Sequence, residues 1–164
     1  MSIIKILEEN VENFELLKHE VFDIIKSKLT EMNQICLQSP VEGEEDWYSG
    51  IGVVANLKHD ETAYKFIQPS LKGSVIESLI NKYSAYRSRI MHMPPRWCYS
   101  VHPDPSCRLH IPITTNKQTW MVWPFDNFCY RFENGKVYWV DTRIPHTCFN
   151  GALENRVHLV LCVE

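Results

Sequence analysis

The hydrophobic pattern changes its period at about residue 86, and this change most constrains what the chain can fold into. From there to the C-terminus, short segments rich in Ile, Val, Tyr, Trp and Thr are separated by turn-forming residues such as Pro-Pro, Pro-Asp-Pro and Asn-Gly. Many short strands separated by turn signals favour a closed barrel or a sandwich over a parallel α/β sheet. The predicted strands are 87–93, 97–103, 107–114, 118–123, 127–132, 136–141, 146–149 and 155–163.

Asn134-Gly135 is the strongest hairpin signal in the chain, because it stands between the segments FCYRFE and KVYWV. A type I′ turn needs positive φ at both central residues, and Asn followed by Gly meets that need best. We therefore predict a hairpin that joins strands 127–132 and 136–141.

A long amphipathic helix is predicted at 11–35, ahead of the strand region. Its apolar residues recur at steps of three and four and form one stripe, which favours packing on a sheet. The stripe consists of Phe14, Leu17, Val21, Ile25, Leu29 and Met32. Asn10 or Asn13 could cap this helix. Residues 38–50 are loop by composition.

A shorter helix is predicted at 75–83, because Ser74 and Glu77 have the spacing of a capping box before an apolar periodic segment. The same pair could also be a chance S-x-x-E. Two weaker strands, 51–57 and 62–67, are predicted before this helix.

Composition describes an ordinary soluble globular chain. Of the 164 residues, 45% are apolar and 23% charged, and the formal net charge is −3, without long runs of one sign. Without a basic tail or Arg-rich stripe, nucleic acid is disfavoured as a partner. We expect no membrane segment, because no apolar run reaches 18 residues. The six cysteines show no C-x-x-C spacing, and no signal peptide is evident, so we expect reduced thiols and a cytoplasmic location.

Four polar residues in the strand region suggest a metal site. His102 and Asp104 stand at i and i+2, so on an extended strand both side chains leave the same face. His146 can complete a 2-His-1-carboxylate site, which holds Fe(II) and leaves positions open for exchange. Arg156 could anchor a dicarboxylate beside the metal. Together these residues predict non-haem Fe(II) with 2-oxoglutarate.

Each of these residues also has an ordinary interpretation. H-x-D occurs often by chance, and a histidine in a turn-rich segment such as His146 is commonly on the surface. Arg156 could simply pair with Glu154 at a strand start. The order, the spacing and the setting among short strands favour the joint metal-site interpretation.

Longer segments extend this pattern. SVHPDPSCRLHIPITTN, ENGKVYWVDTRIPHTCFNG and ENRVHLVL resemble the aspartyl/asparaginyl β-hydroxylase-like branch of the Fe(II)/2-oxoglutarate oxygenases. KHDETAYKFIQP and SRIMHMPPRWCYSVH are similar to that family's lead-in strands, so the resemblance covers 55–163. It implies a mainly β fold, a double-stranded β-helix (jelly roll, cupin-like) with N-terminal and flanking α-helices. We expect a single oxygenase domain over 1–164, with a helical N-terminal support at 1–50 and the jelly-roll core at 51–164.

The resemblance also implies roles for individual residues. It makes His102, Asp104 and His146 the iron ligands, which are the catalytic centre, and Arg156 the residue that binds the distal carboxylate of 2-oxoglutarate. Arg108 and His110 match an R-x-H that contacts the cosubstrate in the animal β-hydroxylases. Those animal enzymes lack the carboxylate ligand, whereas this chain has Asp104, as bacterial and viral relatives do. Periodicity alone predicts a hairpin around Asn150-Gly151, but the jelly roll would place the strands on either side of it in opposite sheets.

The predicted function is an Fe(II)- and 2-oxoglutarate-dependent dioxygenase that hydroxylates a C–H bond of an amino-acid or peptide side chain. Its partners would be O₂ and a small-molecule or peptide substrate. The alternative is a cupin-like metal-binding or sensor domain without oxygenase turnover. Arg156 and Arg108 distinguish the two, because a bare metal-binding barrel needs no cationic anchors. A third interpretation treats all these residues as ordinary polar groups of the barrel and predicts no metal affinity.

Overall fold

The computed structural model describes residues 2–164 and has twelve strands, two α-helices and three 3₁₀ helices in that range. The strands are β1 (Ile4–Glu8), β2 (Gln34–Cys36), β3 (Gln38–Ser39), β4 (Phe66–Ile67), β5 (Tyr86–Met93), β6 (Trp97–Cys98), β7 (Cys107–Thr114), β8 (Thr119–Trp123), β9 (Phe128–Tyr130), β10 (Val137–Val140), β11 (Thr147–Asn150) and β12 (Arg156–Val163). The helices are α1 (Phe14–Lys28) and α2 (Val75–Lys82), with 3₁₀ turns at Val54–Asn56, Glu61–Ala63 and Pro69–Leu71.

Two antiparallel sheets carry the fold. The large sheet has six strands in the order β1-β10-β7-β12-β5-β2, and the small sheet has four in the order β6-β11-β8-β9. Strands β11 and β12 are consecutive in the chain but lie in different sheets. The mainly β jelly roll with flanking helices is thereby confirmed, and the hairpin that periodicity alone predicts around Asn150-Gly151 is wrong.

The central strand β12 is buried along its whole length, because both of its faces are covered. Alternate residues, beginning with Val157 and Leu159, belong to the main hydrophobic core. That core includes the buried residues of both helices, which are Leu17, Val21, Ile76, Leu79 and Ile80. The side chains of the other residues of β12, beginning with Arg156, point to the opposite face, because successive side chains alternate across a strand. One face of the large sheet therefore packs on helices, while the other is free to carry polar groups.

Helix α1 is shorter than the predicted helix at 11–35. It begins after Asn13, whose φ of 57° is left-handed, and Asn13 makes no side-chain capping hydrogen bond. It ends at Lys28, and Gln34–Cys36 forms an edge strand paired with β5 instead of continuing the helix. Backbone pairing in the sheet thus replaces the last predicted helical turns.

Helix α2 agrees with its prediction, and Ser74 is its cap. The Ser74 hydroxyl accepts a hydrogen bond from the Glu77 N–H at 3.0 Å. The Glu77 carboxylate accepts from the Gly73 N–H rather than from the N–H of the cap residue itself. The cap by Ser74 is therefore confirmed, but the hydrogen bond that Glu77 accepts in return comes from the residue before the cap.

Most of the predicted strands are present, with shorter ends. The strand predicted at 107–114 has the observed bounds, but the one predicted at 97–103 is reduced to Trp97–Cys98 and an isolated bridge at His102. The weak strand at 51–57 is wrong, because Val54–Asn56 is a 3₁₀ helix. Only Phe66–Ile67 remains of the weak strand at 62–67.

The predicted hairpin at Asn134-Gly135 is wrong. Strand β9 pairs with β8, whereas β10 pairs with β1 and β7. Only Gly135 has positive φ there, at 77°, so a type I′ turn is not formed. The tight antiparallel turn occurs between β8 and β9 instead, where Asn127 has φ 50°.

The N-terminal segment contributes more than helical support. The unpredicted strand β1 pairs with β10, and β2 pairs with β5, so both edges of the large sheet come from 1–50. The division into 1–50 and 51–164 within one domain stays a prediction. Among residues 2–164, no helix has the length and apolar character that crossing a membrane requires.

Candidate active site

The three predicted metal ligands converge at one point. His102 and His146 form an isolated antiparallel bridge, in which each backbone N–H donates to the other's carbonyl at 3.0 Å. The Asp104 N–H donates to the Thr142 carbonyl at 2.8 Å, which ties Asp104 to the same pair of segments. One ligand atom from each of His102, Asp104 and His146 lies within 4.8 Å of the others.

The two imidazoles present unprotonated nitrogens to Asp104. Nδ1 of His102 lies 2.8 Å from the Ser100 carbonyl oxygen, and Nδ1 of His146 lies 2.9 Å from that of Ile144. Because a carbonyl oxygen only accepts, each Nδ1 carries the proton and each Nε2 keeps its lone pair. These Nε2 atoms lie 4.0 and 3.8 Å from the Asp104 carboxylate oxygens. Two such imidazoles with one carboxylate fit Fe(II), and the backbone carbonyls fix their orientation.

The environment of His146 keeps its imidazole neutral. Burial lowers the pKa of His146, and the nearby His102 and Arg108 lower it further. The hydrogen bond to the Ile144 carbonyl and the charge of Asp104 act in the other direction without reversing the shift. Since only the neutral imidazole binds a cation, the shift extends the competent form to lower pH.

A buried ion-pair cluster lies beside Asp104. The Glu61 carboxylate accepts from both terminal nitrogens of Arg108, at 2.7 and 3.1 Å, and from Arg87 at 3.3 Å. The Ser106 hydroxyl donates to it at 2.8 Å. Burial raises the pKa of Glu61, but Arg108, Ser106, Cys162 and Arg87 together outweigh burial, and the net shift of the pKa is downward. Glu61 is therefore ionised, and it holds Arg108 with its Nε 3.5 Å from the Asp104 carboxylate.

Arg108 and His110 both line the site, and each contacts neighbouring side chains. Arg108 is engaged by Glu61, as described above. The ring of His110 stacks on Phe132 with a centroid distance of 5.4 Å and an interplanar angle of 11°. Burial and then the charge of Arg156 lower the pKa of His110 well below its ordinary value. The cosubstrate contacts of Arg108 and His110 stay a prediction.

Arg156 is held by a neutral histidine. It is 2% exposed, and its Nε lies 3.1 Å from Nε2 of His158 and its Nη2 2.7 Å from Nδ1. Burial and Arg156 itself keep the pKa of His158 well below its ordinary value, so this imidazole has one accepting nitrogen. Nδ1 of His158 also lies 3.4 Å from Nδ1 of His110. The ion pair of Arg156 with Glu154 is not present in the described part of the chain.

These residues surround one cavity of about 500 Å³, which we call the inner cavity. It is lined by Gln34, Gly52, Val53, Val54, Ala55, Arg87, Arg89, Met91, Tyr99, Ser100, His102, Pro103, Asp104, Pro105, Arg108, His110, Met121, His146, Cys148, Arg156 and Val160. The exposed lining residues are Val53, Ala55, Ser100, Pro103 and Pro105, so the cavity is open to solvent beside His102, which lies between two of them. The predicted ligand His102 is partly exposed, whereas Arg156 is buried.

Two residues of this region are not indicated by spacing in the sequence. Glu61 reaches Arg108 across 47 positions, from a 3₁₀ helix where a weak strand is predicted. Arg89 lies in a predicted strand, but nothing in the local pattern separates it from Arg87. Their positions depend on tertiary packing of distant segments.

The chain matches a known family over most of this region. A model of the family described as aspartyl/asparaginyl beta-hydroxylase matches residues 70–164, which is more than half of the chain. The chain belongs to this family. The matched range contains all six predicted site residues, and the comparison with curated protein sequences finds no match.

Solved structures of low sequence identity share the fold of this family member. The viral collagen prolyl hydroxylase of Paramecium bursaria Chlorella virus-1, in its 2-oxoglutarate complex, has a TM-score of 0.57 at 9% identity, over 99% of this chain and 97% of that one. An oxidoreductase of the 2-oxoglutarate-Fe(II) oxygenase family from Burkholderia pseudomallei has a TM-score of 0.55 at 16% identity, over 98% and 83%. AviO1 from Streptomyces viridochromogenes Tue57 has a TM-score of 0.53 at 10% identity, over 96% and 87%.

Family and fold agree with the site. The activity of this family member is Fe(II)- and 2-oxoglutarate-dependent hydroxylation of a substrate with O₂. No observation favours the cupin-like sensor alternative.

Proposed function

We propose that this hydroxylase acts on a C–H bond of an amino-acid or peptide side chain, with Fe(II) held by three residues and 2-oxoglutarate anchored by Arg156. The proposed ligands are His102, Asp104 and His146. The convergence of their ligand atoms within 4.8 Å, with both imidazole tautomers set by backbone carbonyls, carries the proposal.

Bound Fe(II) with 2-oxoglutarate and O₂ supplies the oxidation that converts C–H to C–OH. The protein contributes ligands, orientation and a sheltered cavity. The bridge between His102 and His146 fixes two ligands on one hydrogen-bonded pair of segments. Arg108, held by Glu61, keeps a positive charge beside the Asp104 carboxylate and thereby orients it.

Arg156 suits the distal carboxylate of the cosubstrate for three reasons. It is buried in the inner cavity, and it forms no ion pair with a carboxylate within residues 2–164. A guanidinium is a planar cation that can bind a carboxylate through two parallel hydrogen bonds. Arg156 is also buried, whereas His102 is partly exposed, so a cosubstrate that joins the two positions leaves the exposed side of the proposed iron site to the substrate.

The opening supports a side chain as the substrate group. The exposed lining residue Ser100 accepts the hydrogen bond from Nδ1 of His102 through its backbone carbonyl at 2.8 Å, so the exposed part of the lining adjoins this proposed ligand. A side chain that enters there comes first to His102, which is itself partly exposed.

Metal binding tests the three ligands. Purified without oxygen, the parent protein should bind about one Fe(II), and 2-oxoglutarate should add a weak visible charge-transfer band. His102→Ala and His146→Ala should each abolish the band while circular dichroism shows a retained fold. Unchanged iron binding in both variants would place the site elsewhere. His19→Ala is the matched control, because His19 is an exposed residue of α1.

Cosubstrate titration tests Arg156. With iron saturating, Arg156→Ala should raise the apparent KM for 2-oxoglutarate roughly thirty- to a thousand-fold, since losing a charge-assisted pair costs about 2–4 kcal/mol. Iron affinity should stay nearly unchanged. Arg156→Lys should recover only part, because a point charge cannot reproduce two-pronged binding. An unchanged 2-oxoglutarate titration curve for Arg156→Ala would contradict the proposed role of Arg156 in binding the cosubstrate.

A further inference from the structure

Residues 52–55 form one side of the opening of the inner cavity, and we call 50–55 the mouth segment. All four residues at 52–55 line the cavity, and two of them, Val53 and Ala55, are exposed. The other exposed lining residues belong to the segment around His102; they are Ser100, Pro103 and Pro105. The exposed part of the lining is therefore uncharged, and apart from Ser100 it is apolar.

The buried side chain of Arg87 holds the mouth segment. Its Nε donates to the Gly50 carbonyl at 2.9 Å, and its Nη2 donates to the Gly52 carbonyl at 2.7 Å. The Gly52 N–H in turn donates to Oε1 of Gln34 at 3.0 Å. Arg87 is 1% exposed, so water does not compete for its hydrogen bonds, and bonds from a charged donor are the strong ones. The mouth segment is thus fixed directly before Val53.

The backbone of β5 is distorted at Arg87. In the pairing with β12, Tyr86 is opposite Cys162 and Arg89 is opposite Val160, so the two residues between them on β5 face one residue of β12. Such a β-bulge changes the direction of a side chain. The φ of Arg87 is 44°, a left-handed conformation that is unfavourable for any residue except glycine. Strain of this kind persists where the surrounding contacts require one orientation, and here they direct the guanidinium to the mouth segment.

The unpaired cations of the cavity are not among its exposed residues. Within residues 2–164, Arg89 and Arg156 form no ion pair with a carboxylate, and both are buried. The guanidinium of Arg156 packs on His158, towards Val160, which is opposite Arg89. Both arginines therefore lie on the side that the proposed function gives to the cosubstrate. A substrate side chain that enters past the exposed lining residues meets apolar groups first.

We propose that Arg87 is a positioning residue for the substrate: it holds the mouth segment as the wall that an apolar substrate side chain contacts beside the proposed iron site. The proposal rests on the proposed function, because it takes a side chain as the group that reaches the three ligands. Val53 and Ala55 would lose exposed apolar surface to such a side chain, and this burial favours binding. Burying a charged side chain against them without a partner is unfavourable.

Hydrogen exchange measured by mass spectrometry tests the role of Arg87. Arg87→Lys keeps a cation opposite Glu61, but an ammonium cannot reproduce the fork that reaches both glycine carbonyls. Peptides that cover 50–57 should exchange about tenfold faster or more than in the parent, because the segment loses a charge-assisted hydrogen bond. Peptides of β12 should exchange as in the parent. Arg143→Lys is the matched control, because Arg143 also forms two hydrogen bonds, to Asp141, but is exposed and outside the cavity lining.

Paramagnetic relaxation tests the contact with the substrate. N-acetyl-leucine amide and N-acetyl-aspartate amide are titrated without oxygen into protein loaded with Mn(II) and 2-oxoglutarate, with Zn(II) as the diamagnetic reference. Mn(II) broadens the side-chain proton signals of a probe that binds beside the metal. In the parent, the leucine probe should bind more tightly than the aspartate probe. Arg87→Lys and Val53→Asp should each weaken the leucine probe about fivefold or more, because apolar contact is lost. Val41→Asp, which changes an exposed valine outside the lining, should match the parent.

Each step of the proposal has its own contradicting result. Parent-like exchange at 50–57 in Arg87→Lys would show that Arg87 does not hold the segment, and equally faster exchange in β12 would make Arg87 a general structural support. Unchanged binding of the leucine probe in Val53→Asp, or tighter binding of the aspartate probe in the parent, would overturn the apolar wall. So would a parent that binds Mn(II) and 2-oxoglutarate but no leucine probe. A parent that binds no 2-oxoglutarate would instead contradict the proposed function.

Gly52→Ala provides a second variant should Arg87→Lys fold poorly. Gly52 has φ 82°, which disfavours any residue with a Cβ, and no atom lies within 4 Å of an added Cβ. The substitution therefore strains the mouth segment without disturbing the pair of Arg87 with Glu61. It should give the same faster exchange at 50–57 and the same weaker binding of the leucine probe, and parent-like binding despite faster exchange would overturn the proposal.

Discussion

Removing the charge of Glu61 should destabilise the protein more than removing the charge of any exposed carboxylate. Glu61 is 7% exposed and accepts from Arg108 at 2.7 and 3.1 Å and from Arg87 at 3.3 Å, and both arginines are 1% exposed. Glu61→Gln leaves these two guanidiniums buried next to each other without a counter-charge. Breaking a buried pair in this way costs about 3–5 kcal/mol. For a chain of this size, that corresponds to a fall in Tm of roughly 6–20 °C.

The pH dependence gives this prediction a second, independent check. The pKa of Glu61 in the folded protein lies below its ordinary value, so the stabilisation is complete above that ordinary value. It is lost as the pH falls through the lower pKa of the folded state. The difference in unfolding free energy between the parent and Glu61→Gln should therefore shrink on acidification. Urea unfolding of both proteins at several pH values measures this difference.

The matched control is Glu133→Gln. Glu133 pairs with Lys136 at 3.2 Å, but its side chain is 70% exposed, so water already screens the pair. We expect little change in Tm for this variant. Equal Tm values for Glu61→Gln and Glu133→Gln, or an effect of Glu61→Gln that grows in acid, would contradict a stabilising buried ion pair at Glu61.

Three further changes test other parts of the structure. Asp104→Ala should weaken Fe(II) binding and stop coupled turnover, and normal activity would make Asp104 an ordinary loop residue; iron titration and product analysis decide this. Ser74→Ala should lower stability by about 1 kcal/mol because the Glu77 N–H loses its acceptor, whereas Ser78→Ala should have little effect in urea unfolding. Leu159→Ala should cost about 2–5 kcal/mol because this side chain is fully buried, and an effect near zero in the same assay would contradict the observed core.

Sequence reasoning was most successful where the local pattern and the tertiary role agree. The strand at 107–114 has the observed bounds because β-branched and apolar residues favour the extended state that the sheet also requires. The three proposed metal ligands also converge, because two of them share one short segment and the third leads directly into β11. Family resemblance, rather than periodicity, placed β11 and β12 in opposite sheets.

Sequence reasoning failed where pairing between distant segments decides the outcome. Asn134-Gly135 has the residues of a tight hairpin turn, but β10 pairs with β1 and β7, and no local signal reports a partner so remote in sequence. For the same reason the sequence does not indicate the role of Glu61, because its partner Arg108 lies 47 positions away. The strand β1 was missed because its middle residues are exposed, so its alternation is weak.

The double-sided burial of β12 leaves this strand no freedom in length. Because side chains alternate with a period of two, deleting or inserting one residue near its start would exchange the two faces for the rest of the strand. A guanidinium and an imidazole, those of Arg156 and His158, would then enter the helix-packed core, and Val157 and Leu159 would replace them in the cavity. Shifting this strand by one residue would thus abolish folding and cosubstrate binding together. At this point of the chain, an insertion or deletion is better tolerated in the preceding turn at 151–155, whose residues are mostly exposed.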